Sequence, residues 1–192
     1  QIVISLVWQS AYPQALAKLA QPWRGAGFMA LNALLGGVIA YLAWVTVGGG
    51  VSPPTPFVNM YLILAVPVML FLVIPLQAWP LSLFFKQPGR LGLALIATTY
   101  ALTWLLFRLF FNFGFMAEAP FYVAALDPQG LFMAWQPLVL SIAAVVPMLA
   151  LVLFDFWPIS ALAQRFPALG RQPVMGLLAA AIIAAVAMLL WN

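Results

Sequence analysis

The chain contains no cysteine and no histidine. It can therefore form no structural disulfide, cysteine nucleophile or histidine-based catalytic triad. Haem, copper and zinc sites likewise lose their usual side-chain ligands. The three carboxylates, Glu118, Asp127 and Asp155, lie far apart in sequence, so their spacing indicates no acid–base pair. We therefore expect no catalytic residues, no metal and no cofactor, and leave open a non-covalently bound quinone.

Charge is also scarce. Only 5% of the residues are charged, whereas 67% are hydrophobic and the mean hydropathy is +1.12. A soluble domain carries about 25% charged residues, and at this length it would bury only about 70% of the surface that its extended chain exposes. Lipid must therefore solvate much of the chain, which excludes a soluble enzyme. The net charge of +4 indicates no nucleic-acid partner, because the basic residues flank apolar segments.

Five stretches are long and apolar enough to cross a bilayer, which requires about 20 residues per helix. They cover approximately residues 26–48, 57–85, 91–115, 129–157 and 174–191. Each is a continuous apolar run rather than the short alternating pattern of a membrane β-strand, so these runs predict helices. We expect an all-α integral membrane protein in which residues 1–192 form a single polytopic domain.

The basic residues are confined to alternate ends of these spans. Six of the seven precede the first span or lie between the second and third or the fourth and fifth: Lys18, Arg24, Lys86, Arg90, Arg165 and Arg171. The opposite loops carry only Glu118 and Asp127. Basic loops favour the cytoplasmic side. We therefore expect a cytoplasmic N-terminus and an extracytoplasmic C-terminus, in the bacterial inner (plasma) membrane.

Residues 1–25 precede the first predicted span. Residues 2–8 are apolar but too few to cross a bilayer, and they lack the basic region and cleavage site of a signal peptide. We expect residues 1–25 to form an interfacial segment on the cytoplasmic face. The alternatives are the remnant of a processed span or a shortened chain.

A short pattern recurs before three of the spans. Gln-Pro occupies positions 21–22, 87–88 and 172–173, each time near an arginine: Arg24, Arg90 and Arg171. Proline suits the first turn of a helix, so the favoured interpretation is a helix start beside a basic loop. The alternative is a set of sites for anionic lipid headgroups, formed by helix N-termini and these arginines.

The third span contains Arg108, about two turns from its predicted end. At helical spacing Arg108 shares a face with Trp104 and Asn112. An arginine at membrane depth is costly unless it reaches headgroups, faces water or forms a pair. We therefore expect Arg108 either to bind lipid phosphate or to pair with Glu118, Asp127 or a partner subunit.

Asp155 lies near the end of the fourth span. An acid at that position can serve as a proton or cation site. The favoured alternative is an interfacial acid that pairs with Arg165 or caps the following short helix. Arg108, Trp104, Asn112 and Asp155 are together the predicted substrate- or lipid-binding residues.

Prolines and small residues bear on how the spans pack. The second and fourth spans contain helix-kinking prolines: Pro67, Pro75, Pro80, Pro137 and Pro147. The first and fifth carry small residues at close-packing intervals: Ala33 and Gly37, and Gly176, Ala180, Ala184 and Ala187. Kinked helices coordinate ions in some transporters, whereas small-residue ridges let helices approach closely.

Three functions fit these features. The favoured one is a non-catalytic membrane subunit of a larger complex, which contributes helix packing and lipid or quinone contacts. The alternative is a small transporter or channel for a small solute or ion. A lipid-modifying enzyme fits least, because no cluster of catalytic residues is present. The expected partners are membrane lipids and other membrane subunits or further copies of the chain.

Overall fold

A computed structural model describes residues 1–191 of the chain. Within these residues, five helices are long and apolar enough to cross a membrane. They are α1 (Trp23–Thr46), α2 (Pro56–Val73), α3 (Pro88–Phe110), α4 (Trp135–Leu153) and α5 (Val174–Trp191). The prediction of an all-α membrane protein with about five spans is therefore confirmed.

Short elements connect the five helices. A π-helical turn, Val3–Val7, precedes α1. Further helical turns are Gln14–Ala17, Leu81–Phe84, Ile159–Arg165, and the 3-10 turns Gly114–Met116, Ala124–Leu126 and Pro167–Gly170. Two strands, Phe111–Asn112 and Phe132–Met133, pair in parallel and join the end of α3 to the start of α4.

The second span is shorter than its apolar run. The prediction covered residues 57–85, but α2 ends at Val73. Pro75 follows, and it has no N–H with which to continue the helical hydrogen bonds. Gln77 and Ala78 then adopt positive φ angles of 51° and 61°, which turn the chain out of the helix. Hydropathy cannot locate the end of α2 because the residues of the following turn are mostly apolar as well.

The fourth span is shorter than predicted and is interrupted. Instead of residues 129–157, α4 covers two helical segments, Trp135–Ala143 and Val145–Leu153, which meet at Ala144. Pro147 lies one turn beyond Ala143 and lacks the N–H that would otherwise bond to that residue's carbonyl. The interruption therefore lies beside one of the prolines that the sequence marks as a kink site.

The helices differ greatly in how much they pack. Half of the apolar window of α2 is buried inside the protein, against 6% for α1. α2 makes its most extensive contact with α3 and also contacts α1 and α4, while α4 contacts α5. α2 is therefore the centre of the bundle, and α1 lies at its edge.

The two ends of the bundle are distinct. At the basic side, hydrogen bonds join the three segments that carry most of the basic residues: Trp8 to the carbonyl of Pro88, Arg24 to that of Ser10, and Gln172 to that of Pro75. At the opposite, acidic side, the loop containing Glu118 and Asp127 packs over the ends of α2 and α3. There Phe57 contacts Phe113, with ring centroids 4.4 Å apart.

Part of the N-terminal segment packs into the bundle, while none of residues 9–25 is buried, and the interfacial position expected for residues 1–25 stays a prediction. Val3, Ile4 and Trp8 are buried and pack against α1, α2 and α3. The Trp8 indole donates a hydrogen bond of 2.8 Å to the carbonyl of Pro88. Gly92 makes this possible, because a Cβ there would fall 2.7 Å from a Val3 methyl.

Asp127 organises the acidic-side loop. Its carboxylate is buried and accepts hydrogen bonds from the backbone N–H groups of Phe113 and Gln129, at 3.1 and 2.9 Å. It also accepts one from the Tyr122 hydroxyl at 2.8 Å, and this bond raises the pKa of Tyr122. Glu118, in the same loop, is exposed. Asp127 therefore stabilises the loop rather than neutralising Arg108.

We expect Asp127→Ala to lower the free energy of unfolding by about 1–3 kcal/mol, because it leaves the buried Phe113 N–H without a partner. Glu118→Ala is the matched control and should change stability little. Thermal unfolding in mild detergent measures both variants. Equal stability of the two would show that the Asp127 hydrogen bonds do not hold the loop.

Candidate functional site

The first candidate site is an apolar cleft of about 690 Å³ between α2, α3, α4 and α5. Its walls include Leu64 and Phe71 of α2, Phe110 at the end of α3, and Met148 of α4. Among residues 1–191, its lining is apolar except for Gln136, Ser141 and the indole N–H of Trp191. A space of this size and composition suits a long apolar chain and cannot stabilise a charged substrate.

The open wall of the cleft is formed by small side chains of α5. Ala180 and Ala184 line it, and neither packs into the core, so the predicted ridge is only partly correct. Ala180 is half-buried and Ala184 is exposed. The buried face of α5 consists of Gly176, Ala179, Ile183 and Ala187. The packed face is thus turned by about one residue from the predicted ridge, and the remaining alanines leave space.

The interrupted helix α4 forms another wall. Ala144, where its two segments meet, lines the cleft together with Pro137. Ser141 lies in the same wall, but its hydroxyl donates a 2.7 Å bond to the carbonyl of Leu138. The hydroxyl proton is therefore already used, while the oxygen can still accept a hydrogen bond.

Gln136 is the free polar group of the cleft. Its amide makes no hydrogen bond to any other residue in the described chain, residues 1–191. It lies at the acidic-side end, one position after Trp135, whose ring stacks on Trp191 at a centroid distance of 5.4 Å. Aromatic rings of this kind favour the membrane–water interface. The cleft therefore has a polar end near one interface and an apolar end deeper in the bundle.

A second cleft, of about 420 Å³, lies between the N-terminal segment, α1, α2 and α3. Asn32, Thr99 and Tyr100 contribute polar atoms to it. Tyr100 is already engaged, since its hydroxyl shares a hydrogen bond with the Thr46 hydroxyl and its carbonyl accepts a 2.8 Å bond from the Tyr61 hydroxyl. Asn32 was not among the predicted site residues. The sequence feature that could have indicated it is a single amide side chain in an otherwise apolar span.

The predicted Arg108 group is only partly assembled. Arg108 and Trp104 are both exposed on α3, with the guanidinium 5.6 Å from the indole centroid. Within residues 1–191, neither Glu118 nor Asp127 forms an ion pair with Arg108. Asn112 instead turns into the loop, where it accepts a bond from the Gly114 N–H at 2.8 Å. The pairing with Asp127 is thus absent, and lipid phosphate or a partner subunit stays a prediction for Arg108.

The other predicted residues are separate from the cleft. Asp155 is exposed in a turn with a φ of 48°. In the described part of the chain it neither caps Ile159–Arg165 nor pairs with Arg165. Arg24 donates a 3.2 Å bond to the Ser10 carbonyl.

The exposed Arg90 and Arg171 make no ion pair among the described residues. Headgroup binding by Arg24, Arg90 and Arg171, and any ligand role for Asp155, therefore stay predictions. In residues 1–191 no group of three or more acidic side chains is placed to hold a metal ion.

Comparison with family models, with curated proteins and with solved structures finds no match to this chain. The assignment of the cleft therefore depends on its own geometry.

Proposed function

We propose that the chain is a non-catalytic membrane subunit that holds the apolar chain of a lipid or isoprenoid quinone in the cleft between α2 and α5. The observation that carries this proposal is the cleft itself, about 690 Å³ of space lined almost entirely by apolar side chains. Apolar chains have no hydrophobic drive to leave one apolar medium for another. A specific ligand must therefore be retained by fit and by a polar contact at one end.

Gln136 supplies that contact. A neutral amide offers both a donor and an acceptor, which suits a phospholipid ester or a quinone carbonyl equally. In this arrangement the polar head lies at the acidic side and the chain extends towards Met148. Both ligands share the chemistry of a long apolar tail with a carbonyl-bearing head.

The edge position of α1 supports a role within a larger assembly. Its apolar window is only 6% buried, although it carries the predicted ridge residues Ala33 and Gly37. A Cβ at Gly37 would meet nothing within 4 Å. A helix of this composition can accept a close neighbour, and in this proposal that neighbour is another membrane subunit.

The test is native mass spectrometry after gentle extraction, with Ala184→Leu as the variant. We expect the wild-type chain to retain a ligand whose mass distinguishes a phospholipid from a quinone. The larger side chain of the variant would fill the cleft, so occupancy should fall several-fold. Ala185→Leu is the matched control, because Ala185 is exposed on the same helix and does not line the cleft. Equal occupancy in both variants, or no ligand in the wild type, would contradict the proposal.

Transport is the second candidate, favoured by the interruption of α4 at Ala144 in the wall of the cleft. Broken helices expose carbonyls that can coordinate ions. Flux of protons or alkali cations into proteoliposomes that falls in Ser141→Ala would favour transport over the subunit role. A lack of flux with a retained lipid would favour the subunit.

The orientation follows from the charge pattern, and we place the basic side in the cytoplasm of a bacterial inner membrane. Single cysteines at Gln87 and Glu118 test this, since the chain has none of its own. An impermeant maleimide should label Glu118→Cys in intact cells and Gln87→Cys only after permeabilisation. The reverse pattern would overturn the orientation.

A further inference from the structure

The basic side contains one backbone motif three times. A pair of residues with positive φ ends the entering helix: Gln9 and Ser10, Gln77 and Ala78, Asp155 and Phe156. A proline then precedes a short helix: Gln14–Ala17, Leu81–Phe84 and Ile159–Arg165. Gln-Pro follows and starts the leaving helix. The three Gln-Pro pairs of the sequence are thus the ends of a much longer repeated turn.

Backbone hydrogen bonds confirm that the first two turns are equivalent. Trp8 N–H donates to the Val3 carbonyl five residues earlier, and Leu76 N–H donates likewise to that of Phe71. The bonds from Ser10 to Ile4 and from Ala78 to Leu72, each over six residues, match in the same way. In the third turn, Trp157 N–H bonds to the Phe154 carbonyl, as Trp79 N–H does to that of Leu76.

The motif divides the described chain into three hairpins: A (residues 3–46), B (56–110) and C (135–191). Hairpin A has the single turn Val3–Val7 in the place of its entering helix. In hairpins B and C, full-length helices enter and leave the turn.

Successive hairpins meet through the same parts. The leaving helix of B begins against hairpin A just before its positive-φ pair, where a Cβ at Gly92 would overlap the Trp8 indole and fall 2.7 Å from a Val3 methyl. The leaving helix of C begins against the turn of B, where a Cβ at Gly176 would fall 2.6 Å from a Leu76 methyl. A hydrogen bond secures the second contact, from the Gln172 amide to the Pro75 carbonyl at 2.9 Å.

Within residues 1–191, the first and the last hairpin each leave one half of this contact without a partner. The turn of C is open, with Leu153 82% exposed and Trp157 63% exposed. The start of the leaving helix of A is open as well, with Trp23 70% exposed. Near Gly25, the atom that an added Cβ would meet is the side-chain oxygen of its own neighbour Gln21.

We propose that a second copy of this chain fills these surfaces, with the start of its α1, around Gly25, docked on the turn of hairpin C around Leu153. Both surfaces lie on the basic side, so the two copies keep the same membrane orientation. The contact continues one that the chain already makes twice. It is head-to-tail, and it therefore generates a ring or an open row of subunits.

This pairing goes beyond the proposed function and uses none of the residues that line the α2–α5 cleft. A chain that binds lipid as a monomer, or that assembles without lipid, would separate the two proposals. If either lipid binding or pairing of chains fails its test, the other proposal is unaffected.

Disulfide cross-linking between differently tagged chains tests the pairing, because the natural chain has no cysteine. We expect chains with Gly25→Cys to cross-link to chains with Leu153→Cys under mild oxidation in native membranes. Gly36→Cys replaces Gly25→Cys in the control; Gly36 is exposed on the same helix about 17 Å further along and is not one of the ridge residues Ala33 and Gly37. The double variant Asn112→Cys with Met133→Cys, which joins two residues paired across the short sheet of one chain, is the positive control.

A mixed dimer with Gly25→Cys and none with Gly36→Cys supports the proposal. No mixed dimer while the positive control cross-links overturns it. So does a cross-link between Gly25→Cys and Leu153→Cys placed in a single chain that runs as a monomer.

Gly25→Leu gives a second measurement. The added side chain covers the docking surface, and within 4 Å its Cβ would meet only the Gln21 side-chain oxygen, at 3.2 Å. We expect the oligomer to dissociate while the melting temperature of the chain is retained, with Gly36→Leu unaffected in both respects, because a Cβ at Gly36 would meet nothing within 4 Å. An unchanged oligomer in Gly25→Leu would overturn the proposal.

Discussion

The close approach of helix starts to helix turns at the basic side is the contact on which the rest of the bundle depends. Lipid gives apolar helices no hydrophobic reason to associate, so dispersion and hydrogen bonds must hold them together. Gly92 lets α3 meet the N-terminal turn, and Gly176 lets α5 meet the turn after α2. Any larger side chain at either glycine would collide with the neighbouring hairpin.

This contact also explains where the cleft lies. α5 touches the turn after α2 near Gly176, but along its length it packs on α4. Towards the acidic side Trp191 stacks on Trp135 of α4, so α5 follows α4 there. The space between α5 and α2 is left to the small side chains of Ala180 and Ala184. The proposed binding of an apolar ligand therefore depends on a gap that helix packing leaves between α2 and α5.

Much of the fold could be predicted from the sequence because span length and charge placement are direct consequences of the bilayer. The number and approximate position of the spans follow from composition alone. Their packed faces do not, since a helix that is apolar on all sides has no hydrophobic stripe. Ala179 and Ala180 are neighbouring residues of the same type, yet Ala179 is fully buried and Ala180 lines the cleft.

The site was harder to predict for a related reason. Arg108 and Asp155 are conspicuous in an apolar sequence, but both are exposed and neither lines the cleft, where the amide without a hydrogen bond is that of the inconspicuous Gln136. The sequence shows the repeated Gln-Pro pairs, but it does not show the longer backbone turn that each pair ends. Its positive-φ pairs, such as Gln9 and Ser10, share no residue type that sequence could reveal.

The free energy of unfolding of Gly92→Leu and Gly176→Leu, measured in detergent beside Gly37→Leu, tests the central contact most directly. Overpacking costs about 1–3 kcal/mol, so both hairpin-contact variants should lose at least that much. Gly37→Leu should lose nothing, because leucine is the better helix former and a Cβ there meets nothing within 4 Å. Gly92 and Gly176 variants as stable as Gly37→Leu would contradict the account.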